Sequence, residues 1–167
     1  MSAVLTRPRS VASSDSEHPA PEVPNPQPVI AIGGLPSSAG FAALLGAYRS
    51  SGGTARGDDL ARLLAEHHRG DYVSLARLIV AGEVFGFQWR QTLWIPMFQF
   101  DPRDLCVKPA SRQLLAALTP DFSGWALAAW FANRNAWLDD RRPIDLVDCE
   151  LPGVLDAARA DRSIDVG

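Results

Sequence analysis

The sequence predicts a mainly α fold with one small β-hairpin: a helix-turn-helix with a hairpin wing, followed by a compact helical module. Three observations carry this. Apolar residues recur at helical spacing between 37 and 81, the pattern alternates around 84–95, and helical spacing returns from 109 onward. The expected division is a disordered tail over 1–28, a winged helix-turn-helix-like module over 29–100 and a helical module over 101–167.

The tail is rich in Pro, Ser and Ala, with Pro19, Pro21, Pro24, Pro26 and Pro28 falling almost every second residue. Prolines remove backbone donors, and without apolar periodicity such a segment cannot offset its ordering entropy. A disordered or polyproline-II-like tail is expected, and its removal should change the melting temperature little. The functional alternative is a ligand for a proline-reading module. Next, Val29, Ile30 and Ile32 before Gly33-Gly34 form a short strand or pack on the core.

A first helix is expected over 37–50, where Phe41, Leu44, Leu45 and Tyr48 make one apolar face and Gly52-Gly53 stops it. Thr54 to His68 reads as a second helix on Leu60, Leu63 and Leu64, with Asp58 and Asp59 favouring its positive end. The third covers 72–81, burying Leu75, Leu78 and Ile79 and ending at Gly82. Val84, Phe85, Phe87 and Trp89 lead into Arg90-Gln91, and Leu93, Trp94 and Ile95 lead out, which is the pattern of a hairpin with Pro96 at its end. Pro109 suits a helix start, and Leu114, Leu115 and Leu118 share one side of that helix. Asp121 or Ser123 caps a further helix through Trp125, Leu127, Trp130 and Phe131. A loop with Trp137 and Leu138 follows, then helix starts at Pro143 and Pro152 with Val154, Leu155 and Ala158 inward.

The chain has 167 residues, 47% of them apolar, and a formal net charge of −3, which argues against wholesale electrostatic binding of nucleic acid. Cys106 and Cys149 form no CxxC pair, so no structural metal is expected and a reducing compartment is the simple reading. His67 and His68 are adjacent, about 100° apart on a helix, and make a poor pair of metal ligands. No apolar stretch approaches the roughly 18 residues of a membrane span, and no secretory h-region follows Arg7 and Arg9. A cytoplasmic protein with no membrane contact is expected. Phosphate-loop, GxSxG and HExxH motifs are missing, and Asp139-Asp140 beside Arg141-Arg142 reads as a solvated charge cluster. The expectation is a binding protein, with neither enzymatic activity nor cofactor.

Leu75 to Val84, followed by the Trp89–Trp94 hairpin, resembles excisionase-like and related small DNA-binding domains. The resemblance implies that the third helix enters the major groove while the hairpin lies along the backbone. The candidate DNA contacts are Tyr72, Ser74 and Arg77 on that helix, Arg90 at the wing tip and Arg69 toward phosphate. From Arg49 to Ile95 six Arg face five acidic residues, a difference of 6 − 5 = +1.

Residues 94–160 carry Trp94-Ile95-Pro96-Met97-Phe98-Gln99-Phe100-Asp101, then Trp125, Trp130-Phe131, Asn135-Ala136-Trp137-Leu138, Arg142-Pro143-Ile144-Asp145-Leu146-Val147 and Val154-Leu155 with Ala157 and Ala158. This set resembles the Xre/MbcA/ParS toxin-binding family, the antitoxin domain found beside RES-type toxins. The resemblance implies that the chain holds a cognate, NAD-consuming toxin inactive and uses its C-terminus to occlude the toxin's active-site entrance; with the DNA-reading module in front, binding of its own promoter DNA is expected as well. The long Pro-rich tail and the winged front module depart from the family pattern. A stand-alone DNA-binding regulator and a protein–protein adaptor remain the alternatives. A homodimer or higher even oligomer is expected on palindromic DNA.

The partner surface is expected at Trp137, Arg141 and Arg142, and at Arg159 and Arg162 of the terminal segment. Arg and exposed aromatics are favoured at interface centres. The segment after Ala157 is expected to be free to insert into a concave site, so that truncation after Arg159 leaves the fold intact.

Overall fold

The computed structural model describes residue 30, residues 36–122 and residues 124–164. The tail over 1–28, Val29 and Ile32, Ser123 as a helix cap and the last residues 165–167 lie outside the described residues. So do the side chains of Ser163 and Ile164. Seven α-helices and three short strands make the described fold: α1 (Ser38–Tyr48), β1 (Thr54–Arg56), α2 (Gly57–Glu66), α3 (Tyr72–Val80), β2 (Phe87–Trp89), β3 (Thr92–Pro96), α4 (Pro109–Leu118), α5 (Trp125–Ala132), α6 (Pro143–Leu146) and α7 (Leu151–Ile164). The mainly α fold with a small hairpin is as the periodicity predicts.

One strand was hidden in the sequence. Thr54–Arg56 continues the helical spacing of α2, but the residues are extended and pair antiparallel with β3, in the register Thr54↔Pro96, Ala55↔Ile95 and Arg56↔Trp94. β2 pairs with the other edge of β3, Phe87↔Trp94 through Trp89↔Thr92, which gives the sheet order β1-β3-β2. The order α-β-α-α-β-β with this sheet is a winged helix-turn-helix arrangement.

The small sheet is covered on both faces, which explains why Leu93-Trp94-Ile95 is apolar without a break. Side chains alternate. Ala55, Leu93 and Ile95 join Leu60, Leu64 and Leu75 of α2 and α3 in one core, with Phe100 and Leu105 closing it. Phe87 and Trp94 point the other way, into a larger core with Leu44 and Tyr48 of α1, Phe131 of α5 and Val154 of α7. Trp89 follows them: it stacks on Phe41 of α1, with ring centroids 4.9 Å apart, and lies against Trp125 of α5. The first helix therefore packs on the C-terminal helices across the sheet from α2 and α3. Its buried Tyr48 hydroxyl donates to the Ala128 carbonyl at 2.9 Å.

Gly86 is where the hairpin runs closest to its partner strand. A Cβ there would meet Ile95 Cδ1 at 2.6 Å, Leu93 Cδ1 at 2.8 Å and the Trp94 carbonyl oxygen at 3.1 Å. Ile95 is fully buried and the carbonyl belongs to the sheet, so neither can yield cheaply. Gly86→Ala is expected to lower stability by about 1–3 kcal/mol, the usual cost of overpacking, read from urea midpoints at constant m-value. A midpoint equal to the parent's would mean the strands separate freely here.

Candidate nucleic-acid and partner surfaces

The helix-turn-helix is α2, a turn through Gly70, and α3. Asp71 caps α3: its carboxylate accepts the Ser74 amide at 2.9 Å and the Ser74 hydroxyl at 3.0 Å. Those two bonds hold the Asp71 carboxyl below its usual titration range, since both favour the charged form. Ser74 thus spends its hydroxyl on the cap rather than on solvent. Tyr72, 59% exposed, opens the helix, and Arg77 one and a half turns on is exposed with no side-chain partner among the described residues.

The two other candidate DNA-contacting cations are engaged. Arg69 donates to the Asp104 carbonyl and carboxylate at 3.0 and 3.1 Å, tying the helix turn to the loop before α4. Arg90 and Gln91 form the two-residue hairpin turn with φ of 46° and 62°, a left-handed pair that usually falls to Asn-Gly. The Arg90 guanidinium lies over the Trp89 ring and reaches the Ser38 hydroxyl at 3.3 Å, so the wing tip folds toward α1. Across 57–80, three Arg (62, 69, 77) face four acids (58, 59, 66, 71), a difference of 3 − 4 = −1. Around Arg77 the outward face of α3 is apolar: Tyr72, Val73 and Ala76 are exposed, and Val80 is 89% exposed.

At the other end of the molecule, Asn135 turns the chain after α5. Its side chain accepts the Trp137 amide at 2.9 Å and donates to Asp161 of α7 at 2.7 Å. The Trp130 indole N–H donates to the same Asp161 oxygen at 2.8 Å. The Trp and Asn of the sequence motif therefore clasp the last helix through one carboxylate. Arg162 pairs with Asp121, before α5, and fastens the next residue as well. The segment after Ala157 is accordingly packed as far as Arg162, which corrects the expectation of a free end there.

The clasp leaves Trp137 standing out, 60% exposed. It walls a groove of about 300 Å³ whose other sides include Trp130, Asn133, Arg134 and Asp161. Close to it, Arg141 bonds Glu150 at 2.9 Å, Arg142 grips Asp145 with two bonds of 2.7 and 2.9 Å, and Arg159 pairs with Asp156 at 2.7 Å. The predicted partner arginines are thus spread over the loop after Leu138 and over α7, each already facing a carboxylate. Trp137 and Asp161 meet in one groove, and Arg141 and Arg142 border the same loop.

Sequence reading missed Asn133, Arg134, Asp161 and Gln99. Asp161 had a signal. Val154, Ala157, Ala158 and Asp161 share one helical stripe at i, i+3, i+4 and i+7, and an acid on a buried stripe needs partners. Cys106 is exposed, and its bond with Asp104 raises the thiol pKa, which keeps it from being an activated nucleophile. No helix among the described residues is long and apolar enough to cross a membrane. Comparison of the chain with protein-family profiles, with characterised proteins and with solved structures finds no match.

Proposed function

We propose that the chain is a non-catalytic binding protein of the antitoxin kind: its C-terminal helices hold a partner toxin, and its winged module anchors the pair on operator DNA. The observation that carries the DNA half is the α-β-α-α-β-β order with α3 facing outward and Arg77 free upon it. Support for the partner half comes from the protruding Trp137 beside an Arg-rich loop, the composition of interface centres. The RES-type identity of the toxin rests on the sequence resemblance alone.

The test of the DNA half is fluorescence anisotropy with duplex DNA from upstream of the gene. Arg77→Ala is expected to weaken specific binding by about 1–3 kcal/mol, roughly 5- to 150-fold, while non-specific binding changes little. Absence of binding even at low salt would remove DNA from the account.

One observation favours a second reading, a protein–protein adaptor. The outward face of α3 is apolar around a single cation, and 57–80 is net acidic. Phosphate-binding surfaces are basic, whereas exposed apolar patches mark protein contacts. On that reading Val80→Glu abolishes partner capture and leaves DNA irrelevant.

A further inference from the structure

A residue that follows the proline-rich stretch closely in sequence is fixed beside the Trp137 groove. Ile30 is buried, and its backbone is held on both sides by a single side chain: its N–H donates to Asn133 Oδ1 at 2.9 Å, and its carbonyl accepts from Asn133 Nδ2 at 2.7 Å. Asn133 also lines the groove beside Trp137. Ile30, two residues after Pro28 in sequence, is therefore held at the rim of that groove.

We propose that residues 18–28 of the same chain seat in the Trp137 groove as a polyproline-II segment and cover it. Length permits it. Asn133 and Trp137 are four residues apart, at most about 14 Å of chain. Pro24 to Ile30 spans roughly 19 Å at the polyproline-II rise.

Chemistry matches as well. A segment with Pro19, Pro21, Pro24, Pro26 and Pro28 is rich in carbonyl acceptors and poor in N–H donors. It needs flat apolar walls and donors, which is how aromatic grooves recognise such ligands. The groove supplies both. Trp137 offers an exposed ring, and its indole N–H has no acceptor among the described residues. Arg134 spends one N–H on the Asp140 carbonyl, and its others have no partner among the described residues. The tether adds the rest. A segment attached beside its own site meets it at a millimolar effective concentration, so even a weak contact is occupied. Where the reading proposed above holds, the tail competes with the toxin for Trp137. The docking itself requires no toxin, and its test uses none.

The full chain is labelled with ¹⁵N-tryptophan, and its five indole signals are compared with those of a full-length variant carrying Ala at 19, 21, 24, 26 and 28. Trp137 is assigned by Trp137→Phe. The expected result is a shift of the Trp137 signal by more than a line width in the variant. The indoles of Trp89, Trp94 and Trp125, which do not line the groove, should stay in place and report an intact fold. A peptide of residues 18–28, capped at both ends and added at millimolar concentration, should return the variant's Trp137 signal toward its position in the intact chain and leave the intact chain unchanged. Coincident Trp137 signals in the two proteins would overturn the proposal, as would a peptide without effect on the variant. A difference that grows with protein concentration would assign the groove to the tail of a second copy, and so would also overturn it.

Discussion

Gln99→Leu is expected to lower stability by about 3–5 kcal/mol, a large part of the 5–15 kcal/mol that holds a typical domain together. Gln99 is completely buried between the two cores. Its carboxamide accepts the Phe85 amide at 2.8 Å and donates to the carbonyls of Phe85 and Pro96, each at 2.9 Å. One side chain thus stands in for the strand that is missing where the β2–β3 hairpin opens. Leucine fills the volume and satisfies none of the three groups, each of which then carries its desolvation cost. Urea unfolding gives the number. A loss below about 1 kcal/mol would mean that the three groups find other partners.

The second large effect is expected at the C-terminal clasp. Asp161→Ala removes the acceptor of both the Trp130 indole N–H and the Asn135 amide, two side chains that are otherwise buried. Hydrogen bonds to a charged group contribute about 1.5–3 kcal/mol each, so a loss of about 2–4 kcal/mol is expected after relaxation. Truncation after Arg159 removes the Arg162–Asp121 pair as well, and should cost at least as much. Asp161→Asn keeps one acceptor oxygen and should fall between parent and Ala. If the truncated chain melts with the parent, α7 is held by its apolar stripe alone, and a free C-terminal end is again available to a partner.

These two sites show what the sequence could and could not say. Helix positions were legible because Leu44 and Tyr48, Leu60 and Leu64, and Leu114, Leu115 and Leu118 repeat at helical spacing and are buried at that spacing. The hairpin turn was legible at Arg90-Gln91, although those residue types are poor in left-handed conformations, because the apolar runs on either side fix the register. β1 was not legible. Three residues with no alternation of their own form a strand only because β3 offers an unpaired edge. Nor was the double use of the sheet, by which Leu93 and Ile95 serve one core and Trp94 the other. Among candidate site residues, exposure at Tyr72, Arg77 and Trp137 followed from their places in the pattern. The ion pairs of Arg69, Arg141, Arg142 and Arg162 did not, since each joins residues whose proximity is a product of the fold or of a local turn. Asn133 was silent for the same reason: its partner, Ile30, is more than a hundred residues away.

The measurement that bears most directly on the antitoxin reading is a growth assay with the product of the adjoining reading frame. Expressed alone, that product should arrest growth and deplete cellular NAD. Co-expression of the intact chain should restore both, and Trp137→Ala, which leaves the core untouched, should restore neither in full. An adjoining product that is harmless, or whose toxicity the intact chain does not relieve, would contradict the proposal and leave the winged module as a regulator or adaptor in its own right.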